Sequence, residues 1–384
     1  MADVVRLLDD WYPPRWADSW DAVGTVVGEP DAPVRRALLA VDPVQQIVDE
    51  AVAWDADLLV THHPLLLTPV HSVAATTPKG RVVHTLVRQG IALHVCHTNA
   101  DSPEGGVSEA MAAALGVGGL EPLEPSPADP LDKLTVFVPH DFVQQLVDAL
   151  AIAGAGAVGD YERAMFVTSG TGTFRPRQGA QPSIGTVGAV EEVPESRVEM
   201  VLPRPRRDAV VAALRATHPY EEPGFDLLEL ADTVSSRGSG RIGRLPEPAP
   251  LREFARRVVA ALPPTSSVAR IAGDPDRMVS TVAVCGGAGD FLLDRAHRSG
   301  ADVYVTSDLR HHPVSELREH ARDDPTVPAV IDVPHAAAEW TWLPVLADRL
   351  ARATTTVEVR VSRTITDPWT DHLPMTGGAE RSPR

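Results

Sequence analysis

Leu58-Leu59-Val60-Thr61-His62-His63-Pro64 is a short apolar run followed at once by two imidazoles and a proline. A run of this length with no polar face reads as a buried strand of a parallel sheet, and the histidines mark its carboxyl end. Reading outward, Ala37–Val41 and Ile91–Val95 are further strands, Val44–Trp54 and Arg81–Arg88 are helices, and Val107–Leu115 is an Ala-rich helix. Strands that alternate with helices in this way are the signature of βαβ units. His62-His63 and His97-Thr98-Asn99-Ala100-Asp101 then both lie just past strand ends, the edge at which open α/β sheets gather their ligands.

Glu121–Asp132 is rich in Pro, Glu and Asp, lacks an apolar period and reads as a linker. Beyond it come strand Leu134–Val138, helix Asp141–Ile152, strand Gly185–Val190, strand Arg197–Leu202, helix Arg206–Ala216 and strand Phe225–Leu230. Two βα units with extra strands suggest a small ferredoxin-like domain, which the Gly-rich Ser235–Gly243 would close. The first rhythm then resumes with helix Leu251–Ala261, strand Val279–Val284, helix Phe291–Arg298, strand Val303–Val305 and helix Pro313–His320. Strand Ala329–Ile331, a helical run Glu339–Ala351 and a last strand Thr356–Val361 complete it. The expected fold class is α/β: two related α/β halves with mostly parallel or mixed sheets, plus an inserted ferredoxin-like α/β domain. The expected division is 1–125, an insert at 131–240, 241–370, and a polar tail at 371–384.

The 384 residues exceed what one core organises, and 43% hydrophobic with 23% charged residues is the composition of a folded chain. No stretch approaches the ~20 apolar residues of a membrane span. Met1–Trp11 has no basic segment ahead of an apolar one, so a cytoplasmic location is expected. Cys96 and Cys285 are too few for a disulfide scaffold. A formal charge of −17 disfavours broad attachment to nucleic acid but leaves room for a local pocket that takes one nucleotide.

A single histidine is more often a surface or core residue satisfied by one hydrogen bond, so the case for chemistry rests on grouping. Adjacent side chains on extended backbone diverge, which lets His62 and His63 serve two different metals. Asp101 is the favoured ligand of its loop, while the part played by His97 stays open, with support of a neighbouring ligand's tautomer as one reading. His335 and Glu339, four apart at a helix start, share a face and can chelate, although an ordinary surface ion pair has the same spacing. Three imidazoles and two carboxylates are too many for one closed tetrahedral zinc and suit two divalent ions that share a carboxylate. Mixed nitrogen and oxygen donors fit Zn, Mn, Fe or Co.

Three further segments are ambiguous. Gly286-Gly287-Ala288-Gly289-Asp290 is either an anion cradle or a tight turn that needs glycine. In Thr306–His312, Asp308 or His312 is a candidate proton donor or acceptor, and Asp308 reads equally well as a helix N-cap. His218-Pro219-Tyr220-Glu221-Glu222-Pro223 is either a contact for a neighbouring subunit or a plain connection.

The order of Trp20-Asp21, Val23-Gly24, Val27-Gly28, Thr61-His62-His63-Pro64, His97–Asp101, Gly286–Gly289 and Asp332-Val333-Pro334-His335 with Glu339 resembles the GTP cyclohydrolase I type 2 homologue, or NGG-interacting-factor-three-like, family. Gly240-Arg241-Ile242-Gly243 and the His218–Pro223 loop are similar to its long bacterial form, which carries a PII/CutA-like insert. The resemblance implies a dinuclear metal site on His62, His63, Asp101, His335 and Glu339, and a toroidal homohexamer. It also implies hydrolysis at the guanine C8 region of a nucleotide, for which Asp308 or His312, singled out above, would relay protons. A metal-holding regulatory protein without turnover is the alternative, and phosphodiester cleavage a third. The chain departs from the family pattern with Pro334 for Gly, Ser307 for Gly and Ala338 before the glutamate.

Overall fold

Helix α1 (Ala2–Trp11) opens the computed structural model, which describes residues 1–373. Strand β1 (Gly24–Val27), β2 (Arg36–Ala40), α2 (Gln45–Ala53), β3 (Leu58–Thr61), α3 (Pro78–Gln89) and β4 (Ala92–Val95) follow. Helix α3 shows how local chemistry sets boundaries: the Thr77 hydroxyl caps it by accepting from the Gly80 amide, Pro78 fills its first turn, and Gly90 at φ +67° ends it. Helices α4 (Thr98–Asp101) and α5 (Val107–Ala114) lead to β5 (Gly118–Pro127). The middle of the chain is β6 (Leu131–Pro139), α6 (Val143–Ile152), β7 (Phe166–Phe174), β8 (Glu191–Pro203), α7 (Arg207–Thr217) and β9 (Phe225–Glu229). Then come β10 (Val234–Pro250), α8 (Leu251–Ala261), β11 (Arg270–Ala272), β12 (Met278–Ala288), α9 (Leu293–Arg298) and β13 (Val303–Ser307). The last elements are α10 (His311–His320), β14 (Ala329–Asp332), α11 (His335–Trp340), α12 (Trp342–Ala353) and β15 (Glu358–Val361).

The chain divides into two compact units, Pro127–Ser235 and the remainder. The smaller holds an antiparallel sheet of order β7-β8-β6-β9, with Leu146 and Val147 of α6 and Val210 and Leu214 of α7 in its core. The larger holds two mixed sheets, β1-β4-β3-β2-β15 and β11-β14-β13-β12-β10-β5. Within it, helices α5 and α11 serve both cores. Val107 and Ala110 pack with the first sheet while Met111 and Ala112 pack with the second. Likewise Ala336 and Trp340 face the first core, and Ala337 and Ala338 the second. The run Ala336–Ala338 is therefore what lets one helix be gripped from two sides. Trp342 is fully buried at the start of α12, and its indole N–H donates to the Tyr12 hydroxyl at 3.1 Å, so its one polar atom is satisfied inside the core.

Several expectations are corrected. Glu121–Asp132 is no linker: most of it belongs to β5, whose prolines 122, 125 and 127 are tolerated because β5 is the edge of its sheet. Gly185–Val190 is a turn, with Gly185 and Gly188 at φ +94° and +89°, outside the strand region. The missing strand is β7, whose Thr, Ser and Gly residues are nearly all exposed and so carry no apolar signal. Ser235–Gly243 does not close the insert. It begins β10, which pairs antiparallel with β12 through Arg241↔Val284. Strand β15 returns to the first sheet and runs parallel to β2, Glu358 opposite Arg36. The polar tail lies, from position 374 onward, outside the described residues. No helix among the described residues is long and apolar enough to cross a membrane.

Candidate metal centre

Past the end of β3 the backbone stays extended, with the His62 amide donating to Ala40 at 3.2 Å and the His63 amide to Val41 at 2.9 Å. Alternation then separates the two side chains. His62 is fully buried against the edge of Trp342, whereas His63 reaches the wall of a cavity. From the second sheet, β14 leads into α11, which carries His335 at its start and Glu339 one turn further on. Glu339 is 3% exposed and forms the hub: its Oε1 lies 2.8 Å from His335 Nε2 and 3.4 Å from His62 Nε2, and its Oε2 lies 3.0 Å from His63 Nε2. Asp101 Oδ1 stands 3.6 Å from His62 Nε2. The five residues picked out in the sequence thus converge, although His63 and His335 are 272 positions apart and their Nε2 atoms are 3.2 Å from each other.

Every imidazole of the cluster is held at Nδ1. His62 Nδ1 donates to the Cys96 carbonyl at 2.9 Å. His63 is paired with Asp42, His97 with Asp21, and His335 with Asp308, each at 2.7 Å. Such second partners fix the tautomer and leave the Nε2 lone pairs aimed at a common volume. Of the three carboxylates, Asp42 belongs to no motif in the sequence; its only signal is its place two residues past β2.

The donor set fits a bound cation. His62 Nε2, Asp101 Oδ1 and Glu339 Oε2 are buried without a hydrogen-bond partner, a cost of about 1–3 kcal/mol apiece that a shared cation would offset. Two nitrogens each about 2.1 Å from one tetrahedral ion stand about 3.4 Å apart, close to the observed His63–His335 spacing. Among the described residues two overlapping groups are able to hold an ion, His62/His63/His97 and His63/His335/Glu339. His97, whose part the sequence left open, therefore stands among the donors themselves.

Protons occupy the same positions when no cation does. Burial alone would raise the Glu339 carboxyl, yet His63, His62 and His335 hold it well below the usual carboxylate range. Burial would lower the imidazoles, but Glu339 outweighs it and lifts His63 to about 11 and His335 to about 9. A cation must displace these protons in order to bind.

Gly287 settles the glycine-rich segment. It sits at φ +72°, and a Cβ there would lie 2.5 Å from Glu339 Oε1 and 3.4 Å from His335 Nε2. A Cβ on Gly289 would strike the hydroxyls of Thr306 and Tyr304. The glycines make room for the cluster and for β13. We expect Gly287→Ala to cost about 1–2 kcal/mol from the left-handed backbone alone and, through the clash, to lower bound metal per chain; thermal unfolding and elemental analysis read the two effects.

Asp308, at φ +56°, turns its carboxylate to His335 and does not cap α10, whose N-cap is Arg310 with no side-chain bond. His312 is exposed on α10 against His311 and does not line the cavity beside the cluster, so the structure does not bring it to the site. Arg241, which the sequence reading assigned to the insert, is buried in β10. Its guanidinium donates to the carbonyls of Gly238, Gly240, Ser102 and Pro103, clamping the loop that follows Asp101.

Fold and site together define an α/β protein whose paired sheets bring a His/carboxylate cluster able to hold metal to their facing strand ends. The chain belongs to the Duf34/NIF3 (NGG1p interacting factor 3) family, whose model matches residues 1–368. A Mycobacterium tuberculosis protein called GTP cyclohydrolase 1 type 2 homolog is 49% identical over 375 residues, covering 97% of each chain. A Bacillus subtilis protein of the same name is 37% identical over 309 residues, 80% of this chain and 82% of its own. A solved structure described as a Bacillus cereus protein related to NIF3 superposes with a TM-score of 0.79 at 32% identity, covering 96% of this chain and 97% of that one.

Proposed function

We propose that this protein holds two divalent ions, of Zn, Mn, Fe or Co, on His62, His63, Asp101, His335 and Glu339, with His97 at hand, and hydrolyses a nucleotide of the GTP class. The observation that carries this reading is the set of four imidazoles anchored at Nδ1, of which His62, His63 and His335 bring their Nε2 atoms within 3.4 Å of one buried carboxylate. Bound ions of this kind acidify water and polarise substrate oxygens. The chain's own residues do the rest. Asp42 and Asp308 keep the Nδ1 protons of His63 and His335 in place. Asp308, its side chain 59% exposed, also faces a cavity of about 840 Å³ that His63 and His335 line, where it can accept a proton from a bound molecule.

The homohexameric ring implied by the family resemblance and the cytoplasmic location expected from the sequence belong to the same proposal. So does a ferredoxin-like insert, a reading supported by its β-α-β-β-α-β order and its strand order β7-β8-β6-β9. The test is incubation of metal-loaded protein with GTP, with and without chelator, followed by product analysis. Product that disappears with chelator is expected. A fully loaded protein that leaves GTP intact over long incubation sinks the hydrolase reading, and nucleotide-dependent thermal stabilisation without product would mark a binding protein instead.

A further inference from the structure

After β15 the chain leaves the first sheet and, from Thr366 to Trp369, lines the cavity beside the metal centre. It is tied down along the way. The Thr364 hydroxyl donates to Glu50 at 2.8 Å, the Thr366 hydroxyl to Asp42, and His372 Nδ1 bonds the Ser266 carbonyl at 2.8 Å. Asp42 is the same carboxylate that holds His63, so the crossing segment is hooked directly into the support of the metal cluster. Between these ties Trp369 lines the cavity with 69% of its surface exposed. An indole offers a large flat face, and among the described residues no aromatic or cationic side chain covers that of Trp369. On the same cavity wall Arg270 is held by Asp332 and by the Leu309 carbonyl at 3.1 Å, yet its side chain is 63% exposed. A guanidinium fixed in direction with donors to spare suits a phosphate oxygen.

We infer that Trp369 and Arg270 form a nucleotide subsite beside the metal centre, with the indole stacking on a flat heteroaromatic base and the guanidinium taking phosphate. The cavity's volume of about 840 Å³ lies within the range of small-molecule sites. This inference rests on the nucleotide reading above and adds the residues that would choose the ligand. Neither residue is a metal ligand, so binding of the base and retention of metal separate cleanly.

The experiment is calorimetric titration of the metal-loaded full chain with GTP and, separately, with inorganic triphosphate, for the wild type, Trp369→Ala and Trp369→Phe. Bound metal is measured in each sample. Trp369→Ala is expected to weaken GTP at least about tenfold, the scale of one base–aromatic stack. Trp369→Phe should restore most of that affinity, and triphosphate binding and metal content should not change. Wild-type GTP affinity in Trp369→Ala overturns the inference. So does an equal loss for triphosphate, or loss of metal from the variant. GTP that binds through Trp369 without being hydrolysed leaves the subsite standing and removes only the hydrolase reading. Turnover that ignores Trp369 does the reverse.

Discussion

Replacing Glu339 with alanine is expected to strip metal from the chain while leaving it folded. Among the described residues Glu339 is the one carboxylate within 3.4 Å of His62, His63 and His335 together, and one of its oxygens has no hydrogen-bond partner. Losing an outer partner of a metal ligand typically costs 10–100-fold in affinity, so loss of this hub should cost more than about 100-fold. The fold should survive because the neighbouring imidazoles can release their protons. Removing one member of a buried ion pair is severe, about 3–5 kcal/mol, only where the remaining charge is trapped. Glu339→Gln sharpens the result, since it keeps the shape and removes the charge. Elemental analysis beside thermal unfolding reads both quantities, and a Glu339→Ala protein that retains wild-type metal would show that the cluster is not the site.

Stability should respond to pH in opposite senses with and without metal. In the metal-free protein His335 titrates near 9 and His63 near 11, both above the ordinary imidazole value of 6.5. A raised pKa means that the folded state binds the proton more tightly than the unfolded chain does. The stabilisation is thus complete below about 6.5 and is lost as pH climbs, first through about 9 and then towards 11. For His335 it amounts to at most about 3 kcal/mol. Metal needs the same nitrogens unprotonated, so its affinity rises over that window. The melting temperature of chelated protein should therefore fall between pH 7 and 10, while the stabilisation gained on reloading metal grows. Binding near pH 8 should release protons, visible as a dependence of the calorimetric heat on buffer ionisation enthalpy. A chelated protein whose melting temperature stays level or rises across that range would contradict the assigned protonation of the cluster.

The strand ends after Val60 and Val95 were legible, because apolar runs that stop at polar residues record burial in their own composition. His335 and Glu339 were legible because helical spacing makes them neighbours whatever the rest of the chain does. Strand β7 was not, since its exposed Thr, Ser and Gly residues are ordered by pairing with β8 and leave no apolar trace. The prolines of β5 misled for a related reason: only its place at a sheet edge makes them compatible with a strand.

The sequence by itself determined the α/β class, the donor types and the short-range geometry of each metal-binding pair. Tertiary structure alone decided that Asp42, Asp21 and Asp308 hold the imidazoles, that Gly287 vacates space for Glu339, that Arg241 clamps the Asp101 loop, and that His312 lies elsewhere. It also decided that β15 returns to β2 and that Trp369, further along, lines the cavity. The physical reason is range. Periodicity and propensity report interactions within a few residues. The approach of His63 to His335 across 272 positions instead exists only because two sheets grip the same small-residue helix and bring their strand ends face to face.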